Sequence, residues 1–170
     1  VAFQEPPYTT SIDLVNHVKE VTPDSLNYLI KDMFETITLY QNRVIESTVS
    51  ELKNGKYKVD IEFEVSKYRN NEKGRMFYGN EERDSISYKT DKMKKPQYSV
   101  YLSDYIDIGI FGEDNDENEI ELYLKKHKIS SINNKITLIV DKKPVEVGVD
   151  PYNKLIDTNS EDNRKKITSK

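Results

Sequence analysis

Residues 38–65 read Thr38-Leu-Tyr-Gln-Asn-Arg-Val-Ile-Glu-Ser-Thr-Val-Ser-Glu-Leu52-Lys-Asn54-Gly55-Lys-Tyr57-Lys-Val-Asp-Ile-Glu-Phe-Glu-Val65. The first half is β-branched and alternates. In the second, Tyr57, Val59, Ile61, Phe63 and Val65 alternate with Lys58, Asp60, Glu62 and Glu64. A period of two puts the apolar set on one face of a strand and the charges on the other. Asn54-Gly55 between the two runs is a strong signal for a hairpin turn. This pair of strands predicts an antiparallel sheet with one buried face.

The same pattern recurs downstream. Tyr105-Ile-Asp-Ile-Gly-Ile-Phe111 puts Ile106, Ile108 and Ile110 on one face. Ile120, Leu122 and Leu124 open another strand, Ile136, Leu138 and Val140 a further one, and Val145, Val147 and Val149 the last. Strands are also expected at Met76–Tyr88 and Tyr98–Leu102, around a lysine-rich loop. Short strands at this spacing, separated by turn residues, predict a mainly β fold: an antiparallel, Ig-like β-sandwich over residues 38–150.

One or two α-helices precede it, in a helical segment over residues 1–37 that links to an upstream region. Pro6-Pro7 favours an extended entry. Ser11 is a candidate cap for a short helix carrying Ile12, Leu14, Val15, Val18 and Val21. Thr22-Pro23-Asp24 reads as the start of a second helix over 22–36, with Thr22 capping and Pro23 in the first turn. Leu26, Leu29, Ile30, Met33, Phe34 and Ile37 then form one apolar stripe that needs a partner surface. Residues 151–170 are read as a C-terminal tail that folds back through Tyr152, Leu155 and Ile156, with Pro151 fixing its exit.

Composition narrows the function. With 170 residues, the chain suits one domain with appendages and can bury a sizeable core. Its 26 basic and 30 acidic residues give a net charge of -4, so nucleic acid is not an expected partner. The cluster Lys92, Lys94 and Lys95 reads as a solvated loop. Without cysteine there is neither a disulfide nor a thiolate metal site. No run reaches the roughly 18 apolar residues of a membrane-spanning helix. A start at Val1 suggests an excised or processed piece.

Candidate sites are few, and no catalytic, cofactor-binding or metal-binding residue is assigned. His17 and His127 are the only histidines. Neither belongs to a His-Glu-x-x-His array, so zinc and Ser-His-Asp chemistry lack their residues. Glu113-Asp-Asn-Asp-Glu-Asn-Glu119 offers hard oxygen ligands for calcium, but without the glycine and glutamate spacing of an EF-hand. Asp157, Asn159 and Glu161 share that shortcoming. The pairs Asp104 with Asp107, and Glu62 with Glu64, invite comparison with glycosidase carboxylates, although alternation turns Glu62 and Glu64 outward. Twelve tyrosines and no tryptophan leave room for a stacking face for peptide or glycan.

Several stretches together resemble the C-terminal region of membrane-associated, M1-type zinc aminopeptidase-like proteins, in which a peptidase region accompanies an ABC-transporter-like permease. They are Val21–Tyr40, Asn54-Gly-Lys-Tyr-Lys-Val59, Asp107-Ile-Gly-Ile-Phe-Gly112, Leu122-Tyr-Leu-Lys-Lys-His-Lys-Ile129 and the segment Asp150-Pro-Tyr-Asn-Lys-Leu-Ile-Asp157 with Glu161-Asp-Asn163. The resemblance runs from about residue 5 to 165. It implies a Bacteroidetes-type source, an extracytoplasmic position in an inner-membrane protein, and zinc bound by an upstream region rather than here. It further implies a non-catalytic accessory domain that braces or lines the peptidase region and has the upstream peptidase and membrane regions as partners. The rival expectation is a free-standing Ig-like module that binds peptide or glycan through surface tyrosines.

Overall fold

The computed structural model describes residues 6–70, 73, 76–78, 81–83, 100 and 102–169. Two sheets face each other with a helical segment in front, as the alternation predicts. One sheet holds β1 (Ile37–Glu51), β2 (Tyr57–Asn70), β3 (Met76–Tyr78), β4 (Glu81–Arg83), β7 (Asn133–Val140) and β10 (Thr168–Ser169). The other runs in the order β6 (Glu119–Ile129), β5 (Asp104–Glu113), β8 (Pro144–Val149), β9 (Arg164–Lys166). The loop of Lys92, Lys94 and Lys95 lies outside the described residues, as does most of the strand expected at 98–102.

β1 and β2 form the long hairpin. Gly55 has φ of 78°, a left-handed conformation that a Cβ would strain, and its N–H donates to Leu52 O at 2.9 Å. Ile45 bulges out of β1, between the pairs Val44–Phe63 and Glu46–Glu62. The bulge moves the inward set from Tyr40, Asn42 and Val44 to Ser47 and Val49. Val59, Ile61, Phe63 and Val65 of β2 face Ile106, Ile108 and Ile110 of β5 and Val147 and Val149 of β8 in one core. Each such fully buried side chain contributes roughly 1.5–3 kcal/mol.

β5 is buried on both faces. Its second face carries Asp107, Gly109 and Phe111, and the segment after β8 lies across it. A Cβ on Gly109 would come 2.8 Å from the Phe111 ring and 3.0 Å from Pro151 Cγ, so glycine lets that segment approach. Gly148 meets Pro151 in the same way, at 2.8 Å. The residues read as a tail therefore supply structure to both sheets. β9 extends β8, while Ile156, Thr158 and β10 pair along the free edge of β1.

The helical segment departs from the expected pair of helices. α1 (Ser11–Val21) is capped by Thr10, one residue earlier than Ser11: Thr10 and Asp13 form a reciprocal capping box. Thr22 closes α1 instead of opening the next helix. Its N–H donates to Lys19 O and its hydroxyl to Val18 O. The run expected as one helix over 22–36 is broken into a 3-10 turn Asp24–Leu26, a single α turn α2 (Asn27–Ile30) and a π-type turn Lys31–Glu35. The apolar stripe consequently does not stay on one face. Ile30 is buried, whereas Met33 is 70% exposed and Phe34 and Ile37 are also exposed.

Candidate functional site

Inward parity carries charge at two places in the core. Position 67 continues the set Val59, Ile61, Phe63, Val65, and position 104 precedes Ile106, Ile108 and Ile110. Lys67 and Asp104 thus meet between the sheets. Lys67 is 2% exposed, and its Nζ donates to both carboxylate oxygens of Asp104 at 3.1 Å. The helical segment brings a third member, Asp32, whose Oδ2 is 2.5 Å from the same nitrogen. Arg69, two residues along β2, holds the other oxygen of Asp32 at 2.6 Å. The Tyr28 and Tyr40 rings flank Lys67 Nζ, 5.5 and 5.7 Å from their centroids. Burial, with the two carboxylates close by, pushes the phenols of Tyr28 and Tyr40 above the ordinary tyrosine range.

A cleft of about 670 Å³ opens onto this cluster between the helical segment and the end of the sandwich. Tyr28, Asp32, Lys67, Arg69, Tyr105 and Lys128 contribute its aromatic and charged lining. Sequence reading missed the cluster. The signal available was a lysine on the core parity of β2 and an aspartate on that of β5.

The other candidate residues are dispersed. Asp104 and Asp107 point to opposite faces of β5, Asp107 pairing with Lys154 at 2.7 Å on the far side. They are not a facing carboxylate pair. Glu64 and Glu62 lie on the outer face of their sheet, bound to Arg43 and Lys135 across neighbouring strands. His17 is exposed and 3.3 Å from Glu20. His127, read as a surface residue, is half-buried, and its Nε2 lies 2.7 Å from the Tyr123 hydroxyl. Burial and nearby Lys125 hold its pKa below 6.5.

In the loop 113–119, the Asp114 carboxylate accepts from the Asp116 and Asn118 N–H groups, both at 2.9 Å. Its oxygens are committed to the turn between β5 and β6. Asp157 is likewise engaged with backbone, accepting from Asn42 N–H at 2.8 Å and Asn159 N–H at 2.9 Å. Among the described residues, no three His, Asp or Glu side chains are grouped to hold a metal ion. Among the described residues, the exposed tyrosines sit apart. Tyr8 precedes α1, Tyr105 lines the cleft, and Tyr152 packs edge-on against Phe111, 6.1 Å between centroids.

The segment that carries the resemblance is a clasp. Asp150, at φ of 46°, turns the chain and accepts from the Lys154 and Leu155 N–H groups. Pro151 seats on Gly109 and Gly148, Tyr152 hydrogen-bonds Glu121, Lys154 binds Asp107, and Leu155 reaches the core. Asn163 is fully buried. With its amide turned to satisfy its neighbours, it donates to Asn42 O at 2.7 Å. Pro151, Tyr152 and Lys154 fasten the segment to the sheet of β5, β6 and β8, and Asn163 ties it to β1 of the other sheet.

Among the described residues, no helix is long and apolar enough to cross a membrane. Compared with protein-family models, curated proteins and solved structures, the chain matches none.

Proposed function

We propose that this chain is a non-catalytic β-sandwich accessory domain that docks through its helical segment onto a neighbouring region of the same polypeptide. The observation that carries the reading is the exposure of that segment. Ile12, Leu14, Val21, Met33, Phe34 and Ile37 are all exposed within 26 residues, Val21 at 82% and Ile12 at 68%. The sandwich meanwhile buries its own core. A monomeric domain rarely leaves so many large apolar groups to water in one segment unless they meet a partner. The sequence resemblance supports an upstream M1-type zinc peptidase region as that partner, with zinc held there, and an extracytoplasmic position for this domain in an inner-membrane protein.

Oxidative footprinting of Met33 tests the docking. Met33 should oxidise readily in the 170-residue chain and be strongly protected when the upstream region is attached. Equal rates in the two would sink the reading.

A second reading, a binding module for peptide or glycan, is favoured by the cleft rather than by a tyrosine platform. Tyr28 and Tyr105 offer stacking surfaces beside Arg69 and Lys128. Retained ligand binding by the isolated chain, lost in Tyr105→Ala, would favour it.

A further inference from the structure

Lys67, Asp104 and Asp32 bring together an amine, a carboxyl group and a second carboxyl group, within 3.1 Å of one nitrogen and on three separate parts of the fold. All three are 7% exposed or less. We propose that Lys67 and Asp104 condense into an intramolecular isopeptide bond, with Asp32 as the proton-transferring carboxylate.

The chemistry balances without a cofactor or an oxidant. One ammonium proton passes from Lys67 to Asp104, giving a neutral amine beside a neutral acid. Lys67 Nζ then attacks Asp104 Cγ. Asp32, in contact with Nζ, takes a proton from the nitrogen and returns it to the departing Asp104 hydroxyl. One C–N bond forms, one C–O bond breaks, and one water leaves. Asp32 ends in the state in which it began.

Three features of the site favour this step. Side chains fixed in contact have a large effective concentration, and the entropy of bringing them together is already spent. A buried ion pair carries a desolvation cost that a neutral amide does not. The cleft that borders Lys67 and Asp32 gives the released water a way out. Arg69 fixes one oxygen of Asp32 and so aims the other at Nζ. The product would tie β2 of one sheet to β5 of the other across 37 positions, restraining the unfolded chain as a disulfide does in a sequence without cysteine.

The test is the intact mass of the purified 170-residue chain under denaturing conditions, fresh and after prolonged incubation, followed by peptide mapping. The expected mass is one water below that of the sequence, with a branched peptide joining the Lys67 and Asp104 segments. Lys67→Arg and Asp104→Ala should both have their full mass. Asp32→Ala, which keeps both reacting groups, should form the link at least tenfold more slowly. A wild-type chain that keeps its full mass after incubation overturns the proposal. So does a loss of water that persists in Lys67→Arg, which would place the dehydration elsewhere.

Discussion

Lys67 Nζ lies 3.1 Å from each carboxylate oxygen of Asp104, although the two residues belong to different sheets and are 37 positions apart. Asp32 of the helical segment shares the same nitrogen. One cation therefore holds two sheets and the helical segment at one point. Such clusters bring little net stability when intact, because desolvating three charges offsets their attraction. Removing Lys67 is different, since it takes the cation from Asp104 and leaves Asp32 with Arg69 alone.

Measured against wild-type chain in which Lys67 and Asp104 are still the uncondensed ion pair, Lys67→Met should destabilise by about 3–5 kcal/mol, leaving Asp32 and Asp104 buried without their shared cation. Adding Asp104→Leu to that variant should recover a large part of the loss. Urea unfolding followed by tyrosine fluorescence measures both. A Lys67→Met variant within about 1 kcal/mol of wild type would mean that the cluster is hydrated and not buried.

Gly109→Ala addresses the clasp. The added Cβ would meet the Phe111 ring at 2.8 Å and Pro151 at 3.0 Å. Phe111 is also covered by the Arg164 guanidinium, 4.2 Å from its centroid, so the ring has little room to yield. Overpacking of this kind costs about 1–3 kcal/mol. Hydrogen exchange should quicken first in residues 150–164 and only later in β5. Uniform acceleration across both sheets would show that the clasp and the sandwich unfold as one unit.

The sandwich was legible because its strands keep a period of two, and Asn54-Gly55 announces the first hairpin. The bulge at Ile45 was not, since one extra residue shifts parity without changing composition. The helical segment was over-read. An apolar spacing of three and four suited a helix over 22–36, but the ties of Asp32 to Lys67 and Arg69 of β2 favour a broken path. The parity of Lys67 and Asp104 was visible and their pairing was not, for no local pattern says which strands of two sheets face each other. The tail shows the same limit. Asp157 and Asn163 look like loop residues, and only the fold reveals that they cover the edge of β1.

His127 links pH to local stability. Burial and Lys125 lower its pKa below 6.5 in the folded chain, so the native state prefers the neutral ring. The unfolded chain takes up a proton near the ordinary value. The contribution of this site is therefore present above about pH 6.5 and is lost as pH falls through the folded pKa. NMR titration of the imidazole should place its midpoint below 6.5, and a midpoint at or above that value would contradict the burial seen here. His127→Gln should remove the corresponding slope from stability measured against pH.

Thr10→Ala separates the helical segment from the sandwich. The Thr10 hydroxyl accepts from the Asp13 N–H, and the Thr10 N–H and hydroxyl donate to the Asp13 carboxylate, which holds the Asp13 pKa below its usual value. α1 has no buried residue, so its stability rests on this cap and on local contacts such as the Lys19–Glu35 ion pair. Removing the cap should cost α1 about 1 kcal/mol. Because the core of the sandwich does not include α1, far-ultraviolet circular dichroism should lose helical signal while the main unfolding transition stays in place. Asp13 adds a pH dependence of known sign. Its lowered folded pKa supports the helix above the ordinary aspartate value of 3.8 and ceases to do so as pH falls through the folded pKa. The helical signal should therefore fade in acid in the wild type and show less of that change in Thr10→Ala. If the main transition moved together with the helical signal, α1 would be part of the cooperative core, and its exposed apolar residues would no longer argue for a docking segment.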